Sequence, residues 1–273
     1  MSCLANCFNG PSSGPDGQYN SADTANPPAP GFGDLDTTDV VAYKKGLDAQ
    51  DKKEYQAAIV AYKEAVRLNP KNENYFYNLA NALQDQGELQ EAVKMYLSVI
   101  KLCPTHHEAW YNLGYIQEEL QLYPSAIVSF KKALDLHPND KDAVINLGNT
   151  YMNSLDYDNS IIEYQKAIKM EPSCVMSHYN LASAYHSKDD IEKAQFYFRK
   201  AIELSPKYAD AYFNLGICYQ DKGSEKDLTE DKSREQYELA LEKYQKALEL
   251  DPEMLEAAEA IEALEKQLKS HDP

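Results

Sequence analysis

Pro70, Pro104, Pro138, Pro172 and Pro206 stand 34 residues apart, and Pro252 follows after 46, which is 34 plus 12. A fixed period of this length marks a repeat array, in which each unit must lean on its neighbours to bury an apolar face. The copies begin near Asp39, Glu73, His107, Lys141, Val175 and Ala209, and the sixth carries a 12-residue insertion, placed at Ser224 to Glu235. That insertion is mostly charged. It reads as an exposed loop or as extra helical turns at a hairpin tip, with a partner contact or phosphorylation at Ser224 as the alternative.

Inside one copy the apolar residues fall into two blocks at helical spacing. In the copy that starts at His107 the first block holds Trp110, Leu113, Gly114 and Gln117, and the second holds Tyr123, Ala126, Phe130, Ala133 and Leu134. One period later the pattern returns as Val144, Leu147, Gly148, Ser160, Tyr164, Ala167 and Pro172. Two short antiparallel helices joined by a turn follow from this. Turn chemistry sits between the blocks at Gln86 and Gly87, at Lys188 to Asp190, and at Lys222 and Gly223. Proline closes each second helix because it lacks a donor and clashes with the preceding turn.

This spacing, with Trp110, Leu113, Gly114, Ala126, Phe130 and Pro138 in place, resembles the tetratricopeptide repeat pattern from Asp39 to Pro252. The resemblance implies an all-α fold: a right-handed α-solenoid of six helix-turn-helix hairpins over residues 39–252. A capping helix is expected over residues 253–270, with Leu255, Ala258, Ile261, Leu264 and Leu268 on its apolar face and glutamates on the other. Small residues (Gly114, Gly148, Ala182 and Gly216 on first helices; Ala126, Ala194 and Ala240 on second) let the paired axes approach closely. The first repeat carries Ala42 and Lys45 where the pattern asks for a large apolar residue and Leu, so it reads as a polar N-terminal cap.

Residues 1–38 show neither helical nor strand periodicity and are rich in Pro, Gly, Ser and Asn. Such a stretch cannot bury enough apolar surface to offset its ordering entropy, so it is expected to be a disordered tail. Leu4, Phe8, Tyr19 and Phe32 are its candidate anchors if a partner orders it. The abundance of tyrosine, 21 against one Trp and seven Phe, suits half-buried helix faces where the ring packs and the hydroxyl stays wet.

The formal charge of -17 argues against nucleic acid, which needs a basic surface, and favours neutral or basic protein partners. No apolar run approaches the roughly 18 residues of a membrane span, and the first Lys or Arg is Lys44, so no basic signal flank is expected at the N-terminus. The five cysteines, Cys3, Cys7, Cys103, Cys174 and Cys218, lack framework spacing. Reduced thiols in a cytoplasmic protein are expected, with nuclear or cytoskeletal association open.

Residues one period apart stack along the wall formed by successive first helices. Asn78, Asn112, Asn146, Asn180 and Asn214 then form a ladder that could hydrogen-bond the backbone of an extended peptide or brace adjacent helices. Neighbouring helices roughly 9 Å apart would meet a strand at about every third residue. Tyr77, Tyr111, Tyr179 and Phe213, with Tyr43, stand beside the ladder and could pack ligand side chains or the neighbouring helix. Glu108, Asp142 and Asp210 share the wall with Asp51, Asp85, Glu119 and Asp221, against Lys44 as the one clear cation, so a ligand carrying Lys or Arg is favoured.

The ladder and the segment Leu102 to His106 are similar to the repeat region of O-linked N-acetylglucosamine transferases, but no glycosyltransferase domain follows. Chaperone adaptors of the repeat family hold a C-terminal carboxylate with Lys or Arg one residue before the asparagine; Tyr, Ile or Phe stands there here, so that clamp is not expected. Catalysis finds little support: Gly31, Phe32 and Gly33 lack the rest of a dinucleotide fingerprint, and His137, His178 and His186 have no paired nucleophile. Cys103, His106 and His107 lack a fourth metal ligand. The expected function is a non-catalytic scaffold, without cofactor or metal, that holds an extended neutral-to-basic segment in its concave groove. The alternative is a structural subunit of a large assembly, cytoskeletal or ciliary for example, held through its convex face, ends and tail.

Overall fold

The computed structural model describes residues 37–270, and every regular element in that span is a helix. The hairpins are α1 (Thr38–Asp51) with α2 (Tyr55–Leu68), α3 (Glu73–Asp85) with α4 (Leu89–Leu102), and α5 (His107–Glu119) with α6 (Tyr123–Leu136). They continue as α7 (Lys141–Asn153) with α8 (Tyr157–Met170), α9 (Val175–Ser187) with α10 (Ile191–Leu204), and α11 (Ala209–Gly223) with α12 (Glu230–Leu250); α13 (Leu255–Ser270) follows. The tail anchors Leu4, Phe8, Tyr19 and Phe32 lie outside the described residues, and α1 begins at Thr38, the last residue of the range read as tail.

Each first helix packs on its own second helix and on the second helix of the repeat before it. The first helices α5, α7, α9 and α11 also touch in succession, while no two second helices meet as closely. The first-helix side is therefore the inner side of the curve, which makes it the wall of the groove.

The core of every hairpin is one aromatic ring from the second helix. Tyr62, Tyr96, Phe130, Tyr164, Phe198 and Tyr244 are at most 1% exposed. Opposite each ring the first helix carries a small residue, and a Cβ added at Gly148 would come within 2.7 Å of the Tyr164 ring. Gly46 meets Tyr62 in the same way, which fixes the register of the first repeat despite Ala42 and Lys45. Whereas Tyr55, Tyr157, Tyr185 and Tyr197 are half-buried as expected, the four core tyrosines are fully buried. Their hydroxyls are satisfied inside: Tyr62 donates to Gln50 Oε1 at 2.8 Å, Tyr96 to Asn81 Oδ1 at 2.5 Å, Tyr164 to Asn149 Oδ1 at 2.8 Å and Tyr244 to Gln220 Oε1 at 2.7 Å. A buried hydroxyl with a partner is tolerated where a bare one is not.

The expected turn residues between the helices adopt a C-terminal cap that repeats with the sequence. Lys53, Gly87, Gln121, Leu155 and Asp189, each 34 residues after the last, have φ between 58° and 82°. The next amide reaches back five residues, from Glu54 to Ala49, Glu88 to Leu83, Leu122 to Gln117, Asp156 to Tyr151 and Asp190 to Tyr185. This is the Schellman arrangement, and only one of its five left-handed positions carries glycine.

Two expectations need revision. The insertion in the sixth repeat divides between a turn at 224–229 and a lengthened α12 of 21 residues, against 14 in the other second helices, so both forms foreseen for it occur together. The capping helix buries Met254, Ala257 and Leu264, whereas Leu255 is 72% exposed and Ala258 is also exposed. The reason is register. Helix α13 continues the frame of a first helix, with Ala257 in the buried place that Ala109, Ala143 and Ala211 hold in earlier repeats, so the stripe counted from Leu255 is displaced.

Leu155 is 71% exposed and holds a left-handed backbone that a branched side chain disfavours. Replacing Leu155 with Gly is expected to raise stability by about 0.5–1 kcal/mol. Urea denaturation should show a higher midpoint with an unchanged slope.

Candidate functional site: the first-helix wall

The ladder asparagines use their amide N–H groups on the neighbouring repeat. Asn78 Nδ2 donates to Tyr43 OH at 2.5 Å, Asn112 Nδ2 to Tyr77 OH at 3.3 Å, Asn146 Nδ2 to Tyr111 OH at 2.7 Å and Asn214 Nδ2 to Tyr179 OH at 2.9 Å. Each bond joins an asparagine to the residue 35 positions earlier, which stands one place before the ladder position of the preceding repeat, Lys44 in the first repeat and asparagine in the others. Repeat four has Ile145 at that place and offers no hydroxyl. Asn180 Nδ2 turns instead to Asn149 Oδ1 at 3.0 Å.

The structure therefore separates residues that the sequence grouped together. Asn78, Tyr77 and Tyr111 are 1%, 3% and 5% exposed, which corrects their placement on an open wall: they belong to the packing between repeats. Asn112, Asn146, Asn180 and Asn214 are half-buried, and with the N–H turned inward the carbonyl Oδ1 is the atom left for a ligand. Tyr179 is half-buried between Phe198 and Tyr208, with ring centroids 5.6 and 5.0 Å away. Phe213 lies 5.4 Å from the Tyr244 ring.

The carboxylates on the wall divide into two sets. Glu108 is held by His106, whose Nδ1 stands 3.2 Å from Glu108 Oε2, and hydrogen bonding there lowers the carboxyl pKa to about 2. Asp221 Oδ2 stands 2.8 Å from His186 Nε2. Asp85, Asp142 and Asp210 form no ion pair among the described residues, and burial pushes the pKa of each upward. Asp251 and Glu256 add like charge beside Asp210; at Asp142, Lys141 offsets part of the effect.

Sequence reasoning missed a further acid of this kind. Glu118 accepts a hydrogen bond from Asn153 Nδ2 at 2.5 Å, yet burial and then Glu119 raise its pKa. Its signal was available: Glu118 and Asn153 are separated by 35 residues, as the ladder pairs are, and they lie six and seven residues beyond Asn112 and Asn146. Tyr115, three residues beyond Asn112, is 43% exposed on the same helix.

The histidines near the third repeat do not converge on one point. In the tautomer without a proton on Nδ1, His106 instead accepts from Ala109 N at 3.3 Å as a helix cap, while His107 stacks on His137 with centroids 4.0 Å apart and stands 3.0 Å from Asp140. Cys103 Sγ turns to Thr105. No helix among the described residues is long and apolar enough to cross a membrane.

Residues 50–87 match a family model described as TPR repeat, and residues 77–141, 142–174, 177–208 and 197–242 match models described as tetratricopeptide repeat. The chain belongs to the tetratricopeptide repeat family. Among solved structures it is similar to the MamA protein, at 27% identity and a TM-score of 0.60 over 63% of this chain and 94% of that one. YrrB, described as a TPR protein with an unusual peptide-binding site, matches at 24% identity and a TM-score of 0.59, over 73% and 97% of the two chains. The APC/C hetero-tetramer Cut9-Hcn1 matches at 17% identity and a TM-score of 0.57, covering 83% of this chain and 42% of that one. A comparison with curated protein sequences finds no match. Tetratricopeptide repeat arrays are in general non-catalytic interaction scaffolds, and this array has that fold.

The Asn–Tyr bonds should couple neighbouring repeats. In a double-mutant cycle of Tyr111→Phe and Asn146→Ala, the two changes are expected to be non-additive by about 1 kcal/mol. The same cycle on Ile145→Ala and Asn180→Ala should show no hydrogen-bond coupling, because that pair makes no such bond.

Proposed function

We propose that the first-helix wall of this tetratricopeptide repeat protein holds an extended, neutral-to-basic segment of a partner protein. The observation that carries this reading is the set Asp85, Glu118, Asp142 and Asp210 on the first helices, whose carboxyl pKa values are raised by burial and which form no ion pair among the described residues. A Lys or Arg side chain from a ligand supplies the missing counter-charge. The Oδ1 atoms of the half-buried Asn112, Asn146, Asn180 and Asn214 accept backbone N–H groups of an extended chain, and bonds to tyrosine, or to Asn149 in the case of Asn180, hold those amides in place beforehand. Tyr179 and Phe213 border the same wall. Recognition of this kind reads charge and extension more than side-chain shape.

The test is fluorescence anisotropy with labelled extended peptides of matched length, one rich in Lys and Arg and one in Asp and Glu. The basic peptide should bind, and the combined change Asp85→Asn, Glu118→Gln, Asp142→Asn and Asp210→Asn should weaken it by roughly tenfold or more. Binding should also weaken as salt rises. The sign with pH follows from the groups: ionised carboxylates attract the cation, so affinity falls as they protonate. Raised pKa values start that loss above the ordinary carboxylate range. Equal binding of both peptides, or indifference to the four changes, would refute the reading.

A second reading, a structural subunit held through the convex face, is favoured by one observation. Val60, Val128, Ile162 and Phe196 occupy the same repeat position on second helices and are 48–61% exposed. On this reading, Ile162→Ser with Phe196→Ser should leave basic-peptide affinity unchanged while reducing the size of complexes recovered with the chain on gel filtration.

A further inference from the structure

The two ends of the array are not equivalent. At the third position of each first helix stands a residue that the preceding second helix covers: Tyr75, Ala109, Ala143 and Ala211 are at most 1% exposed, and Ala257 in α13 is at 0%. The matching residue of the first repeat, Val41, is 37% exposed, and no second helix precedes α1 among the described residues. A groove of about 600 Å³ remains between α1 and α2 at this end, floored by Val41, Ala42, Ala49 and Leu68. Lys45 and Arg67 also line it. A solenoid end that exposes the stacking face of its first hairpin is a surface awaiting a cover.

We propose that this groove is covered by the chain's own residues 1–36, with Phe32 and Leu35 seated on Val41 and Leu68. Three arguments select this occupant. The chain enters the array at Thr38, which itself lines the groove, so the segment is delivered to the site by its own connection at high effective concentration. The groove follows a 14-residue helix, roughly 21 Å long, and about seven extended residues span that distance. The stretch from Pro28 to Leu35 supplies them next to the entry point.

Chemistry agrees with the geometry. Residues 1–36 contain Asp16, Asp23, Asp34 and Asp36 and no Lys or Arg, so the segment is acidic, with apolar residues as anchors. It meets an apolar floor whose cation is Lys45, while Arg67 is bonded to Glu64, which also lines the groove. Lys45 stands where later repeats carry the buried Leu79, Leu113, Leu147, Leu181 and Leu215, and it is placed to face Asp34 or Asp36. A lysine at that position would oppose the stacking of another apolar hairpin and accept an acidic segment.

The experiment uses the full chain with its single tryptophan moved: Trp110→Phe together with Phe32→Trp. Blue-shifted emission and several-fold weaker quenching by iodide than for a free indole are expected, independent of protein concentration. Adding Lys45→Glu, an exposed change that leaves the hairpin core intact, should return the emission to that of a solvated indole; Val41→Asp should do the same. In parallel, amide hydrogen exchange in α1 should be several-fold faster in a chain lacking residues 1–36 than in the full chain. A solvated indole in the starting variant, or α1 exchange unchanged by the deletion, overturns the proposal. Shielding that grows with concentration and coincides with a dimeric mass in light scattering also overturns it and assigns the groove to a second copy.

Discussion

Everything in this array depends on the contact between a buried aromatic ring on each second helix and a small residue on the facing first helix. A Cβ added at Gly46, Gly148 or Gly216 would collide with the ring of Tyr62, Tyr164 or Tyr244, and at Gly114 it would stand 3.0 Å from the Phe130 ring. The close approach sets the distance within each hairpin. Because the next first helix packs on the same second helix, it also sets the spacing between repeats. The period of 34 residues is thus a packing period, and the prolines that announce it in the sequence only mark where the second helix stops.

The polar network is built on that spacing. Tyrosine replaces phenylalanine at the core ring in four of the six hairpins, and each hydroxyl ends on an amide oxygen of the first helix. The ladder asparagines then tie one first helix to the next through a second set of tyrosines. Amide and phenol groups suit this work because both stay uncharged near neutral pH and burial does not force them to change state; burial of these phenols only raises their pKa further. Carboxylates on the same wall respond differently, since burial penalises their charged form. At Glu108 a hydrogen bond from His106 counters that penalty and lowers the carboxyl pKa.

The fold was legible before any coordinates because a repeat states its pattern six times, and errors in one copy are corrected by the others. The exceptions were harder. Leu255 and Leu264 look equivalent on a helical wheel, yet one is exposed and the other buried, since α13 inherits the frame of a first helix. The abundance of tyrosine suggested wet hydroxyls, and the acceptors Gln50, Gln84 and Gln220, spaced in the same repeat position, were the overlooked sign that the hydroxyls are paired inside.

Sequence alone determined that the chain is a stack of helical hairpins with asparagines in register and an acidic surface. Those are consequences of periodicity and composition, which are properties of the chain in one dimension. Only tertiary structure decided which atoms of the ladder face a neighbour and which remain for a ligand, and which acids are neutralised. It also decided which end of the stack leaves its stacking face open among the described residues. Each of those turns on what lies 35 residues away across a helix interface, where a change as small as Ile145 for Tyr redirects a hydrogen bond from one partner to another.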